Sequence, residues 1–233
     1  MSGSAVQPSR EERALERSPL ERLLHGLNQP LTGLQCSMEV ALASPRAVEY
    51  YVQGLRDGLA LTERMRALVE AMREVADAGA ETNERPEAIE WKTLLQEVVD
   101  DLKPVAEVKG VRITLEGVAV FSVAVKAGRR RVSTLLFRLL ESALSLADRG
   151  SRLRVEMGLE TGIERGSGAE AVWVRVRWYA GLARAEFSRP ELGLLVTQAG
   201  WERAGAKWER GRAENLETVT VRLPGVSEGS GNS

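Results

Sequence analysis

The feature that most constrains this chain is an apolar series at alternating spacings of four and three: Leu20, Leu24, Leu27, Leu31, Leu34 and Met38. Such a series is a heptad seam, and a seam demands a helical partner. After the break Ala43-Ser-Pro-Arg46 the spacing returns in Val48, Val52, Leu55, Leu59, Thr62, Met65, Leu68, Met72 and Val75, interrupted chiefly by the polar Thr62. Two long helices joined by a short turn make an antiparallel hairpin. Ser18-Pro-Leu-Glu21 fits the capping box and sets Pro at the first helical position, so the first helix is predicted to start at Ser18; Ser9-Arg-Glu-Glu12 fits a second box. Two helices alone bury little surface. The hairpin is therefore expected to pair with a second copy as a four-helix bundle, a homodimer.

Past a polar break at residues 78–86 the pattern changes. Residues 90–103 read as a helix with Leu94, Leu95, Val98, Val99 and Leu102 on one face, and 111–115 alternate as a strand. Residues 118–125 are a second strand, 130–147 a helix, and 152–157 a third strand. A Gly-rich loop at 162–168, a strand at 171–178, a helix at about 193–204 and a last strand at 217–223 complete the series. Strands alternating with helices through hairpin-length links imply a mixed sheet covered by helices on one face. The expected class is α+β: a tail with a possible short helix at 1–17, the hairpin at 18–77, a linker at 78–89, an α/β sandwich at 90–224 and a tail at 225–233.

Composition removes whole classes of function. With 32 Lys and Arg against 33 Asp and Glu the net charge is -1, so no nucleic-acid partner is expected. The run Arg129-Arg-Arg131 reads as a solvated helix start. One cysteine, Cys36, and one histidine, His25, rule out an intrachain disulfide and His-rich or CxxC metal sites, and no metal site is expected. The longest apolar stretch, 118–125, is interrupted by Ser122 and falls far short of the ~20 residues that span a bilayer. The first residues lack the basic and apolar regions of a secretory signal. A cytoplasmic protein without a membrane partner is the expectation.

The lone histidine lies in His25-Gly-Leu-Asn-Gln-Pro-Leu31, one position past a seam residue and so turned ~100° away from it. It is expected to be exposed. At these residues the chain resembles the two-component sensor histidine kinases, over roughly residues 18–224: a dimerisation and phosphotransfer hairpin followed by a catalytic ATP-binding domain. In that family a phosphoacceptor His precedes an acidic residue, two variable positions, Thr, Asn or Gln, and Pro-Leu. His25, Gln29, Pro30 and Leu31 fit, and Gly26 stands in the acidic position. The resemblance implies that His25 is the phosphoacceptor, that Pro30 bends the helix beside it, and that Gln29 either orients water or contacts a receiver; as a plain helix residue Gln29 is equally accounted for by solvation.

The later resemblance is to the ATP-binding fold with its chemistry replaced. Residues 91–99 resemble its first helix, and 131–143 resemble the helix whose asparagines hold nucleotide phosphates and Mg²⁺; those positions are Arg138 and Ser142. Mg²⁺ takes oxygen donors, so an arginine is repelled and a serine is a short substitute. Where the family has the Asp that reads adenine stands Trp178 or Tyr179, and only scattered glycines follow. Glu191-Leu-Gly193 resembles the Gly-x-Gly segment with a carboxylate in place of its first glycine, and Ala204-Gly-Ala206 resembles the later turn. The resemblance thus implies no bound ATP, Mg²⁺ supplied by a partner, and response-regulator receiver domains as partners. It also resembles the phosphotransferases that keep the kinase layout. The expected function is phosphate transfer between receiver aspartates through His25. A working kinase with divergent boxes, which here has no evident sensor input before Ser18, and a scaffold with His25 idle are the alternatives.

Overall fold

The computed structural model describes residues 18–77, 86–118, 120–161, 170–181 and 188–226. The Ser9 capping box, the Gly-rich loop at 162–168 and most of both expected tails lie outside them. The chain divides into two compact units, at Met1–Asp77 and Ala78–Ser233.

The first unit is the hairpin, α1 (Pro19–Ala43) and α2 (Val48–Asp77). The α1 start is the expected capping box: the Ser18 hydroxyl oxygen accepts from the Glu21 N–H at 3.3 Å, and the Ser18 N–H donates to Glu21 Oε2 at 3.3 Å. The turn is clasped by residues at the start of α2, because the Arg46 N–H donates to the Tyr51 hydroxyl at 3.2 Å while its guanidinium lies 5.2 Å from the Tyr50 ring centre. α1 runs unbroken through Pro30. The missing N–H at 30 leaves the Gly26 carbonyl without its usual donor, and the Thr32 hydroxyl bonds back to the Asn28 carbonyl at 2.9 Å.

The buried stripe of α1 is Pro19, Leu23, Gly26 and Pro30, and α2 contributes Gly58, Leu68, Ala71 and Val75. A Cβ added at Gly58 would stand 3.2 Å from Leu34 Cδ1, so glycine sets how closely the helices approach. Leu34, Leu68 and Val75 of the two apolar series thus belong to the packed side, while other members of both series do not. Leu24, Leu31 and Met38 are about half exposed, and Leu55 and Leu59 are 75% and 63% exposed.

The second unit holds β1 (Glu87–Glu90), α3 (Trp91–Lys109), β2 (Arg112–Glu116), β3 (Ser122–Val125), α4 (Gly128–Leu146), β4 (Arg152–Thr161), β5 (Glu170–Tyr179), α5 (Arg189–Arg203), β6 (Lys207–Ala213) and β7 (Leu216–Pro224). Five strands form a sheet in the order β2-β4-β5-β7-β6, parallel only between β2 and β4. β1 and β3 form a separate antiparallel pair. Alternation on β5 (Val172, Val174, Val176 and Trp178 inward) meets the apolar faces of α3 and α4 in one core, in which Trp91, Trp178 and Trp201 are fully buried.

Several expectations need correction. Strand β1 occupies the end of the expected linker, because Ala88 and Ile89 pair with β3 although three of its four residues are exposed. α3 continues past Lys103 through Pro104, which lies on its solvent side, and ends at Gly110 in the left-handed conformation with φ 68°. The strand at the expected 118–125 is β3, at residues 122–125. β4 is longer than expected, and α5 begins a turn earlier, with Pro190 in its first turn. β6 went unread: Lys-Trp-Glu-Arg-Gly-Arg-Ala is an edge strand whose side chains are nearly all solvated, so it shows no apolar alternation. Gly225 is no tail residue, since its N–H donates to the Glu170 carbonyl at 2.7 Å.

Candidate functional site

On the hairpin, His25 and Gln29 are both exposed, and their spacing of four sets them on one face of α1. One residue on, Gly26 belongs to the buried stripe, as does Pro30 one turn later. A carboxylate at position 26 would therefore start from the packed side of the helix. The acid one turn before His25 on the same face is Glu21, whose carboxylate accepts from the Ser18 N–H. Among the described residues no group of three or more His, Cys, Asp or Glu side chains is placed to hold a metal ion.

In the second unit the candidate residues take three different environments. Arg138 is exposed on α4, whereas Ser142, one turn later, is 8% exposed. Ser142 meets α5 directly: a Cβ added at Gly193 would lie 2.7 Å from the Ser142 hydroxyl oxygen, and one at Gly200 would lie 2.5 Å from Leu135 Cδ2. The two positions that the resemblance places on either side of the phosphates thus touch each other. Trp178 points into the core with no exposed surface and with no hydrogen-bond partner for its indole N–H. Tyr179, next in the strand, is 48% exposed.

Glu191 does not present a free carboxylate. Arg210 grips it with two bonds, at 2.7 and 3.0 Å, and donates from Nε to Glu217 at 3.2 Å. Arg212 continues the network, 3.4 Å from the other Glu217 oxygen and donating to the Ala180 carbonyl at 3.3 Å. Burial alone would push the Arg210 guanidinium down, but its bonds to Glu191 and the charge of Glu217 outweigh that and hold it above its ordinary value. Two acids and two arginines balance, so the expected repulsion by Glu191 is replaced by a neutral clamp tying the start of α5 to β6. Arg210 and Arg212 were invisible in sequence because β6 was. The chain after β5 is anchored likewise: the Gly181 N–H donates to Asp148 Oδ2 at 2.6 Å, and the Asp148 N–H to the Tyr179 carbonyl at 2.9 Å. Within the Arg129-Arg-Arg131 run, Arg129 is paired to Glu97 at 2.5 Å.

These residues fit a Mg-nucleotide poorly. Ser142 is spent on a helix contact, Arg138 is cationic, and Trp178 offers a buried donor where an acceptor for an amino group is needed.

A helical hairpin followed by a mixed sheet covered by three helices is the layout of histidine kinase catalytic segments. The chain is similar to two-component histidine kinases in its layout and over part of its sequence. No protein-family model matches it. Among curated proteins, the Burkholderia pseudomallei sensor protein IrlS is 27% identical over 135 residues, 58% of this chain; the chain spans only 28% of the length of that relative. The Acinetobacter baumannii histidine kinase AdeS superposes with a TM-score of 0.51 at 16% identity, covering 85% of this chain and 96% of AdeS. Full-length ShkA, solved with AMPPNP, superposes with 0.52 at 14% identity, covering 92% of this chain and 47% of ShkA. No helix among the described residues is long and apolar enough to cross a membrane.

Proposed function

We propose that the chain is a histidine phosphotransferase that carries phosphate between receiver-domain aspartates through His25, without ATP. The observation that carries this reading is the contrast between an exposed His25 in the phosphoacceptor pattern and a second unit whose Ser142, Trp178 and Glu191 are all committed to packing or to the Arg210 clamp. A neutral imidazole nitrogen attacks the phosphorus of an aspartyl phosphate; the N–P bond forms as the P–O bond breaks, the receiver carboxylate leaves, and the proton on the second ring nitrogen passes to water. The receiver brings its own Mg²⁺ and acids, which accommodates Gly26. Gln29, one turn from His25, contacts the docked receiver or its water.

Two copies are proposed to pair through the hairpin. An exposed apolar groove of about 550 Å³, lined among others by Leu34, Met38, Tyr51, Leu55 and Leu59, is the surface such pairing covers.

One observation favours a second reading. The absence of a side chain at Gly26 and the engagement of Glu21 with Ser18 leave His25 with no carboxylate partner among the described residues, as in a receiver-binding scaffold with an idle histidine. Incubation with labelled Mg-ATP and, separately, with a panel of phosphorylated receivers decides between them. Labelling from receivers, abolished by His25→Ala, is expected. Labelling from ATP would establish a kinase, and receiver binding without labelling would establish the scaffold.

A further inference from the structure

Several charges on the open face of the five-stranded sheet are matched by their neighbours. Arg154 reaches Glu116 at 3.7 Å, Glu156 bonds Arg175 and Arg177, and Arg222 lies between Glu160 and Glu209 at 3.3 and 2.6 Å. The first rung of the β2–β4 ladder departs from this. Arg112 is in register with Arg152, both are exposed, and among the described residues neither has an acidic partner. Adjacent strands stand about 4.8 Å apart, and like charges side by side oppose sheet formation.

These arginines border a cleft of about 650 Å³ between the C-terminal half of α3 and the starts of β2 and β4, a volume typical of small-molecule sites. Lys103 lines it too, balanced by Asp100 at 2.6 Å, and Glu107 is its one acid. The stem of Arg149 packs over Gly110 at the rim, where its Cγ would stand 3.3 Å from an added Cβ, and brings a third guanidinium without an acidic partner among the described residues. Arg112, Arg152 and Lys103 thus line the cleft with Glu107 as its one carboxylate, and Arg149 stands at the rim. The cleft lies at the β2 edge of the sheet, whereas Trp178 and the Glu191 clamp belong to β5, β6 and β7.

We propose that this cleft binds a small diphosphate-bearing ligand, with Arg112 and Arg152 each presenting a planar fork to one phosphoryl group. Arginine forks match phosphate oxygens bidentately, and two forks on one rung, from neighbouring strands, suit two linked phosphoryl groups better than one. The proposal does not depend on the role of His25.

The test is calorimetric titration of the full chain with inorganic pyrophosphate at low salt. Saturable one-site binding is expected, at least fivefold tighter than orthophosphate and weakened at least tenfold by Arg112→Gln with Arg152→Gln. Arg152→Lys, which keeps the charge and removes the fork, is expected to lose an intermediate factor. The charge-matched control Arg66→Gln with Arg73→Gln is expected to leave binding unchanged, and no variant is expected to melt below the parent chain, since the Arg112 and Arg152 changes relieve a like-charge pair. Absence of saturable binding, equal loss in the control, or tighter binding of a hexaglutamate peptide than of pyrophosphate would overturn the proposal, the last by making the cleft a seat for an acidic protein surface.

Discussion

Ser142 of α4 and Gly193 of α5 are in such close contact that a single added carbon at 193 would come within 2.7 Å of the Ser142 hydroxyl oxygen. Glycine in a helix interior costs about 1 kcal/mol relative to alanine, so this residue is retained against local propensity. Gly193→Ala is expected to gain that propensity and lose about 1–3 kcal/mol to overpacking, for a net destabilisation. In a Ser142→Ala background the nearest atom is the Cβ at 3.8 Å, and the same substitution is expected to stabilise by up to about 1 kcal/mol. Urea denaturation followed by tryptophan fluorescence reads the sign; a Gly193→Ala effect identical in both backgrounds would refute the contact.

The Arg210 clamp makes a second prediction. With side chains 15% exposed for Arg210 and 20% for Glu191, removal of the cation by Arg210→Met leaves the Glu191 carboxylate without its partner in a poorly hydrated place and Glu217 with Arg212 alone. A loss of about 3–5 kcal/mol is expected. Adding Glu191→Leu to Arg210→Met is expected to cost less than the sum of the two singles, because the second change removes a charge the first left unpaired. Additive losses in the double-mutant cycle would show that the clamp carries no coupling.

A smaller, pH-dependent contribution comes from Glu209. Its bond to Arg222, only partly opposed by burial, holds its carboxyl below the ordinary 4.5. A depressed carboxylate contributes stability that is fully present above the unfolded value and is lost as pH falls through the folded one. Glu209 is exposed and Arg222 half-buried, so the pair is worth at most about 1 kcal/mol. Glu209→Gln is therefore expected to lower the melting temperature slightly at pH 7, to make no difference below the carboxylate range, and to lose its effect in high salt. A deficit that persists at low pH would assign the effect to something other than charge.

The exposed apolar stripe predicts assembly. Leu55 and Leu59 stand 75% and 63% exposed on α2, so Leu55→Glu with Leu59→Glu leaves the buried Leu68, Ala71 and Val75 untouched. Sedimentation is expected to show a dimer for the parent chain and a monomer of equal helicity for the variant. A parent that sediments as a monomer at micromolar concentration would end the bundle reading.

Much of this was legible in residue order, and the misses share one cause. Ser18-Pro-Leu-Glu21 specified a helix start because every partner in a capping box lies within four residues. The hairpin turn, the period of β5 and the exposure of His25 were legible for the same reason. The burial of Gly26 and Pro30 was not legible because leucines outweigh glycine and proline in any hydrophobic pattern, and the contact of Gly58 with Leu34 pairs residues 24 positions apart. β1 and β6 escaped because edge strands are chosen by their neighbours' unpaired backbone and not by their own side chains.

Sequence alone determined where helices begin, that a histidine would stand in a phosphoacceptor pattern on a solvated face, and which residues, Ser142, Trp178 and Glu191 among them, stand at the positions that the resemblance assigns to a nucleotide. Only the tertiary structure decided what the replacements do: Trp178 fills core, Ser142 meets Gly193, and Glu191 is held by an arginine 19 residues away. Local geometry follows from hydrogen bonds and rotamers within one turn, whereas the fate of a buried charge or indole depends on which distant strand the sheet brings beside it.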